Sequence, residues 1–381
     1  MPAVTRVEIS CFRHPLKQPL KTVFGLVESR PALVLRIEDA DGAEGFGEIW
    51  CNFPQPGAEY RARLAALILP GALKGFGSDD PFATWGKFRE RLHRLALQAG
   101  EPGPADQIAS GVDIALHDLA ARKAGVSLAV WLGGARRPLP VYASGIDSRE
   151  AAGMMAAARA QGYRNFKLRV GFGEASDAAA VSSAVLALGA GERLMLDANQ
   201  AWDVDEACRM ASRFNAFPLM WLEEPIAADR PEAEWLRVAA ASAAPLAAGE
   251  NLRSAAEFDA AIDGAALSVV QPDICKWGGL SACRDIARKA LAAGKRYCPH
   301  YLGGGVGLAA SAHLLSAVGG DGLLEVDVND NALREVFAGP VLPLRNGMAV
   351  LPDAPGLGYK PDLQGAKGMQ TLAFDLAVEI G

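Results

Sequence analysis

From Leu194 to Asp327 the chain repeats one pattern: a short apolar run closes on an acid, a base or an acid pair. The segments are LMLDAN (194–199), LMWLEEP (219–225), LAAGEN (246–251), LSVVQPD (267–273), RYCPH (296–300) and GLLEVD (322–327). Asp197, Glu223, Glu250, Asp273, His300 and Glu325 follow one another at intervals of 26, 27, 23, 27 and 25 residues. Such an interval accommodates one strand, one helix and two short loops. A polar group at the carboxyl end of each successive strand is how a (β/α)8 barrel builds an active site.

Upstream, PVYASG and RNFKLRVG extend the alternation, with alanine-rich helical stretches between them. The pattern predicts eight strands, near 139–144, 164–169, 193–197, 219–223, 246–249, 267–271, 296–299 and 322–325. A closed barrel is favoured over an open doubly wound sheet, which gathers ligands mainly at one switch point. Residues 1–130 lack this rhythm. Strand-like runs (VTRVEISCFRH, ALVLRIEDADGAEGFGEIW) precede three helical stretches, the order expected of an α+β unit. The expected fold is therefore α/β: a modified (β/α)8 barrel over 131–349 with an N-terminal α+β capping domain over 1–130. The turn-rich C-terminal tail, 350–381, is expected to join the cap.

Composition narrows the function. Half of the residues are hydrophobic and the net charge is −6, with no basic patch for a nucleic-acid backbone or an anionic membrane. No apolar stretch approaches membrane-spanning length and the N-terminus lacks the features of a signal peptide. Six scattered cysteines without a C-x-x-C read as reduced thiols. The expected setting is cytoplasmic, with a small-molecule partner.

Asp197, Glu223 and Glu250 close three consecutive strands, so their carboxylates should converge and repel one another. One such acid alone would more often cap the next helix. Three in register suit Mg²⁺, a hard cation that takes oxygen ligands. Asp273 and His300, on the next two strands, form a candidate base, the Asp fixing the imidazole tautomer. Lys167 and Arg169 lie two apart on one strand and share a face, where the acids would match their charge. Glu325 closes the ring, and in a dry cavity of like charges its pKa should rise, letting it donate to an oxyanion. Asn199 and Asn251 are candidates for contacting substrate or ligand, or for helix caps. LGGGVG (302–307) could cradle a phosphate, but reads more readily as a tight turn beside His300. Phe24, Trp50 and Tyr301 are candidate pocket walls, with capping loops near 23–28 and 49–53.

The chain resembles the mandelate racemase subgroup of the enolase superfamily over nearly its whole length. The resemblance is carried by GVDIALHDLAARKAGVSLAVWLGG at the cap–barrel junction, by LMLDANQAW, WLEEP and AAGEN, and by QPDICKWGG and PHYLGGGVG. It implies one Mg²⁺ per subunit on Asp197, Glu223 and Glu250, His300 with Asp273 as base, Glu325 as electrophilic partner, and a homo-oligomer (dimer or octamer). Acid-sugar dehydratases and sugar-lactone cycloisomerases are the most similar relatives, and DAPGLG near the end recurs there. One departure stands out: the family's second-strand Lys-x-Lys is Lys167-x-Arg169 here. A guanidinium is a poor base, which shifts weight from racemisation, needing bases on both faces, to single-face elimination. The expected reaction is dehydration of a hydroxy-acid sugar to a 2-keto-3-deoxy acid. The alternatives are a cycloisomerase, a racemase or epimerase using Lys276, or a barrel that has lost catalysis.

Overall fold

The computed structural model describes residues 2–339 and 344–380. Two layered units share the chain. The first is built on an antiparallel sheet whose strands β1 (Val4–Thr22), β2 (Gly25–Asp39) and β3 (Glu44–Ile49) follow in sequence, covered by helices α1 (Gly57–Ala72), α2 (Pro81–Ala99) and α3 (Pro102–Lys123). β1 and β2 form a long hairpin whose tip is Val23–Phe24, paired Thr22 to Gly25. The segment expected as a loop near 23–28 is thus mostly strand. α2 starts where Asp80 accepts from the Ala83 N–H with Pro81 behind it, and stops at Gly100, at φ 69°.

After a short helix, α4 (Leu128–Trp131), the chain alternates strand and helix: β4 (Leu139–Ile146), α5 (Ala151–Ala160), β5 (Asn165–Arg169), α6 (Glu174–Leu186), β6 (Arg193–Asp197) and α7 (Val204–Phe214). It continues with β7 (Leu219–Glu223), α8 (Glu232–Ala241), β8 (Leu246–Ala248), α9 (Ala255–Asp263), β9 (Leu267–Val270), α10 (Gly279–Ala292), β10 (Arg296–Tyr297), α11 (Gly305–Val318), β11 (Leu324–Asp327) and α12 (Ala332–Phe337). These eight strands pair in parallel in the order β10-β9-β8-β7-β6-β5-β4-β11. Between β10 and β11 the seam is closed by single contacts, Leu323 N to Cys298 Sγ (3.4 Å) and Tyr301 N to Glu325 Oε2 (2.9 Å). The fold is the α/β barrel with an antiparallel capping sheet that the sequence pattern predicts.

Strand starts agree with expectation to within one residue except for the last, which begins two residues later, at Leu324; β10 also ends early, at Tyr297, and β4 runs on to Ile146. Gly322 explains the delay: a Cβ there would lie 1.9 Å from the Tyr297 carbonyl, so the backbone crosses the neighbouring strand too closely for a ladder. Past a two-residue strand, β12 (Met348–Ala349), that pairs with β4, the tail crosses to the cap. Leu357 N donates to the buried Asp118 of α3, and β13 (Gln370–Ala377) pairs with β1 at the edge of the capping sheet. Among the described residues no helix is long and apolar enough to cross a membrane.

Candidate active site

Barrel strands alternate inward and outward residues, so each inward residue lies two positions from the next. Tyr142, Met195, Trp221, Val269, Cys298 and Leu323 make one buried layer. Two residues on from each come Ser144, Asp197, Glu223, Gln271, His300 and Glu325, and Lys167 of β5 joins them. An apolar floor thus carries a polar layer toward the cap.

Lys167 is the hub of that layer. Its ammonium is 2.6 Å from Glu223 Oε1, 2.8 Å from Glu325 Oε1 and 3.2 Å from Asp197 Oδ2. Burial alone would discharge it, but the Glu223 and Glu325 carboxylates outweigh burial and raise its pKa well above the usual lysine value. Glu223 also accepts from Trp221 Nε1 (2.9 Å) and Gln271 Nε2 (2.8 Å), and burial pushes it up to about 8 in spite of Lys167. Asp197 accepts from the Asn199 N–H (2.9 Å).

His300 is held from both sides: Nδ1 lies 2.9 Å from Asp273 Oδ2 and Nε2 lies 2.5 Å from Glu250 Oε2. Burial disfavours its charge, yet Glu250, Glu325 and the hydrogen bonds to Asp273 and Glu250 raise its pKa well above the ordinary imidazole value. Asp273 is fixed in turn by the N–H groups of Cys275 (2.8 Å) and Lys276 (3.1 Å). The dyad expected from two strand ends is therefore assembled, and Glu250 is an added partner.

Glu325 departs from its expectation. Oε1 accepts from Ser144 Oγ (2.5 Å) as well as facing Lys167, and Oε2 accepts from the Tyr301 N–H (2.9 Å). Burial would raise its pKa, but Lys167 and His300 lower it below the usual carboxylate value. It is an acceptor-only carboxylate that anchors Lys167, not a proton donor. The expectation of a proton-bearing Glu counted the like charges and missed the buried cation.

Tyr301 departs too. Its ring is buried beside Glu48 and against Gly303 and Gly307, and only its backbone N–H serves the polar layer. The glycines of 302–307 hold no phosphate cradle. The N–H groups of Gly304 (2.6 Å) and Gly307 (2.9 Å) at the start of α11 donate to the Glu48 carboxylate of the capping strand β3. A Cβ at Gly305 would lie 1.9 Å from Ala338 N, so glycine is needed for α11 to meet α12.

Besides Ser144, three residues of this neighbourhood escaped the sequence reading. Glu224, at φ 40°, is buried and accepts from Asn251 Nδ2 through both carboxylate oxygens (2.8 and 3.0 Å), and the same amide also donates to Glu250 Oε1 (3.0 Å). Burial, then Glu250 and Asp197, raise its pKa well above normal. Asp327 ends β11 and pairs with Arg30 of β2 at 2.5 Å. Gln271 follows β9 and ties down Glu223. The doubled acid of WLEEP was the available signal for Glu224. Asn251 also accepts from Lys276 Nζ (2.6 Å), while Asp203 and Ser254 cap the helices that follow, so neither Asn199 nor Asn251 is a cap.

Above this layer lies a cleft of about 500 Å³ lined from both units. Asp197, Asn199, Arg169, Glu250 and His300 face it from the barrel; Phe24 and Trp50 face it from the cap. Phe24 packs edge-on against Phe53, their centroids 5.6 Å apart. The volume suits a small polar molecule.

The donor set fits a hard divalent cation in chemistry. Six carboxylates (Asp197, Glu223, Glu224, Glu250, Asp273, Glu325) share this site with Lys167, Arg169, Lys276 and a charged His300, a formal excess of two negative charges. Burial is the main cause of the upward shifts of Glu223 and Glu224, and neighbouring carboxylates add to it. Among the described residues no three acidic, His or Cys side chains converge as a finished cation site; Lys167 and His300 occupy oxygens of Asp197, Glu223 and Glu250.

Two family models match the chain. One described as "Mandelate racemase / muconate lactonizing enzyme, N-terminal domain" matches residues 4–133, and one described as "Enolase C-terminal domain-like" matches 149–365. D-galactarolactone cycloisomerase of Agrobacterium fabrum is 31% identical over 373 residues, covering 94% of this chain and 96% of that protein. L-talarate/galactarate dehydratase of Salmonella typhimurium is 34% identical over 333 residues, covering 86% and 79%. A mandelate racemase/muconate lactonizing enzyme from Bordetella bronchiseptica superimposes with a TM-score of 0.91 at 47% identity, covering 97% of this chain and 99% of that one.

Proposed function

The chain belongs to the mandelate racemase/muconate lactonizing enzyme family of the enolase superfamily, and from that premise we propose that it removes the α-proton of a hydroxy-carboxylate acid sugar and expels the β-oxygen. The product is a 2-keto-3-deoxy acid. The observation that carries this reading is the asymmetry across the cleft: an Asp273–His300 pair on one side, and on the other Arg169, which cannot act as a base. Asp197, Glu223 and Glu250 would hold Mg²⁺, which when bound supplies Lewis-acid stabilisation of the enediolate and takes the charge of Glu250 off the imidazole.

His300 Nε2 takes the α-proton, and the electrons of the broken C–H bond pass into the enediolate. Asp273, on Nδ1, holds the tautomer and steadies the imidazolium. Lys167 and Arg169 present fixed positive charge to the developing oxyanion. As the enediolate electrons form the Cα–Cβ double bond, the Cβ–O bond breaks and the imidazolium returns its proton to the leaving oxygen. The enol then becomes the ketone. Glu325 and Ser144 keep Lys167 in place, and the Phe24 and Trp50 side of the cleft excludes water.

If the leaving oxygen is a hydroxyl the reaction is dehydration; if it belongs to a ring the same step opens the ring. The cycloisomerase relative, matched over 94% of this chain, favours keeping that second outcome in view. A cytoplasmic setting accords with six free thiols. Incubating the protein with Mg²⁺ and a library of acid sugars and lactones, and assaying 2-keto-3-deoxy acids, tests the proposal. Turnover that stops on chelation is expected. A protein that binds Mg²⁺ normally yet turns over no hydroxy acid contradicts it.

A further inference from the structure

We infer that the substrate carries a single carboxylate and an uncharged far end. The inference rests on the proton-abstraction reading above and narrows its substrate class. The charges lining the cleft all come from the barrel side. Lys276 is engaged by Asn251 at 2.6 Å, lies 4.8 Å from the Trp50 ring centre, and faces Glu224 and Glu250. His300 is held between Asp273 and Glu250.

Arg169 alone among these cleft cations has no hydrogen-bond or ion-pair partner among the described residues. The two carboxylates that feel its charge, Asp147 and Asp327, are already paired, with Arg149 at 2.6 Å and Arg30 at 2.5 Å. Arg169 and the carboxylates that would hold Mg²⁺ share the barrel side, so the positive charge open to a substrate gathers at its reacting end.

Among the described residues the capping side of the lining offers no charge to a second anionic group. Phe24, Leu26, Trp50 and Phe53 form most of it, with neutral amides at Asn52 and Gln55. The Asn52 amide already donates to the Leu302 carbonyl. Lys21, next to the hairpin tip, has its ammonium 5.8 Å from the Phe172 ring centre and is not among the lining residues. A carboxylate at the far end would lose its hydration against this wall and find no cation in exchange. An uncharged terminus, or a ring presenting its carbon–hydrogen face, loses far less.

A panel of aldonates, aldonolactones and aldarates, followed by NMR in D2O with the full chain and Mg²⁺, tests this. The compounds turned over should be monocarboxylates, with kcat/KM about 100-fold above that of the matching diacid. Any aldarate processed as well as its matching aldonate overturns the inference and leaves proton abstraction standing. No α-proton exchange with any member overturns both. As a second arm, Phe24→Arg places a cation on the far wall at a position 56% exposed, where the fold tolerates it. The ratio of diacid to monoacid kcat/KM should rise about tenfold or more; an unchanged ratio means this wall does not meet the far end, and the inference fails.

Discussion

Lys167 shows what one buried cation does among carboxylates. With Asp197, Glu223 and Glu325 all within 3.2 Å, it stays charged and keeps Glu325 ionised, and that reverses the role expected for Glu325. Arg169, two residues on, has no such partners among the described residues, and the proposed function assigns it to the substrate. Arg169→Met should therefore raise KM for the acid about 10- to 100-fold, the loss of a charge-assisted contact, with a smaller change in kcat. Steady-state kinetics check this; an unchanged KM would mean the guanidinium touches no substrate. The residue scale is also where the sequence was hardest to read. Acids at strand ends stood out because apolar runs frame them. Gln271, Ser144 and the Tyr301 N–H did not, since they bear no charge and follow only from the inward alternation of each strand.

At the scale of elements, glycine and one carboxylate join cap to barrel. Glu48 of β3 accepts from the first turn of α11, a contact between residues more than 250 apart in sequence. Glu48→Ala would leave those N–H groups buried and unpaired, costing about 2 kcal/mol. Denaturant melts should show a lower midpoint, and activity should fall because the loop beside His300 loses its anchor. The α3–α10 contact makes a second prediction. Asp113 accepts from Ser281 N (2.9 Å) and Oγ (2.7 Å), and burial pushes it up to about 7 from 3.8. A carboxyl raised on folding adds stability that is present below pH 4 and is lost as pH rises toward 7, at about 1.4 kcal/mol per unit. Unfolding midpoints measured across that window should fall more steeply for the native protein than for Asp113→Asn; parallel curves would rule out Asp113 as the cause. Element types and most strand positions were legible in the sequence, because period and spacing record them. The late start of β11 was not, since Gly322 acts through a neighbouring strand. Nor was the use of the 302–307 glycines, whose partner lies in the cap.

At the scale of the whole molecule, the proposed function sets His300, at a strand end of the barrel, against an acid sugar beneath the neutral lining of the cap. Elimination demands a base on one face only, and the chain supplies that one and a fixed cation opposite. The direct measurement is deuterium exchange at the α-carbon of a turned-over acid sugar in D2O with Mg²⁺, comparing the native protein with His300→Asn. Exchange and 2-keto-3-deoxy product are expected for the native protein, and loss of both, by about 10³-fold or more, in the variant. Undiminished α-proton exchange in His300→Asn would contradict His300 as the base.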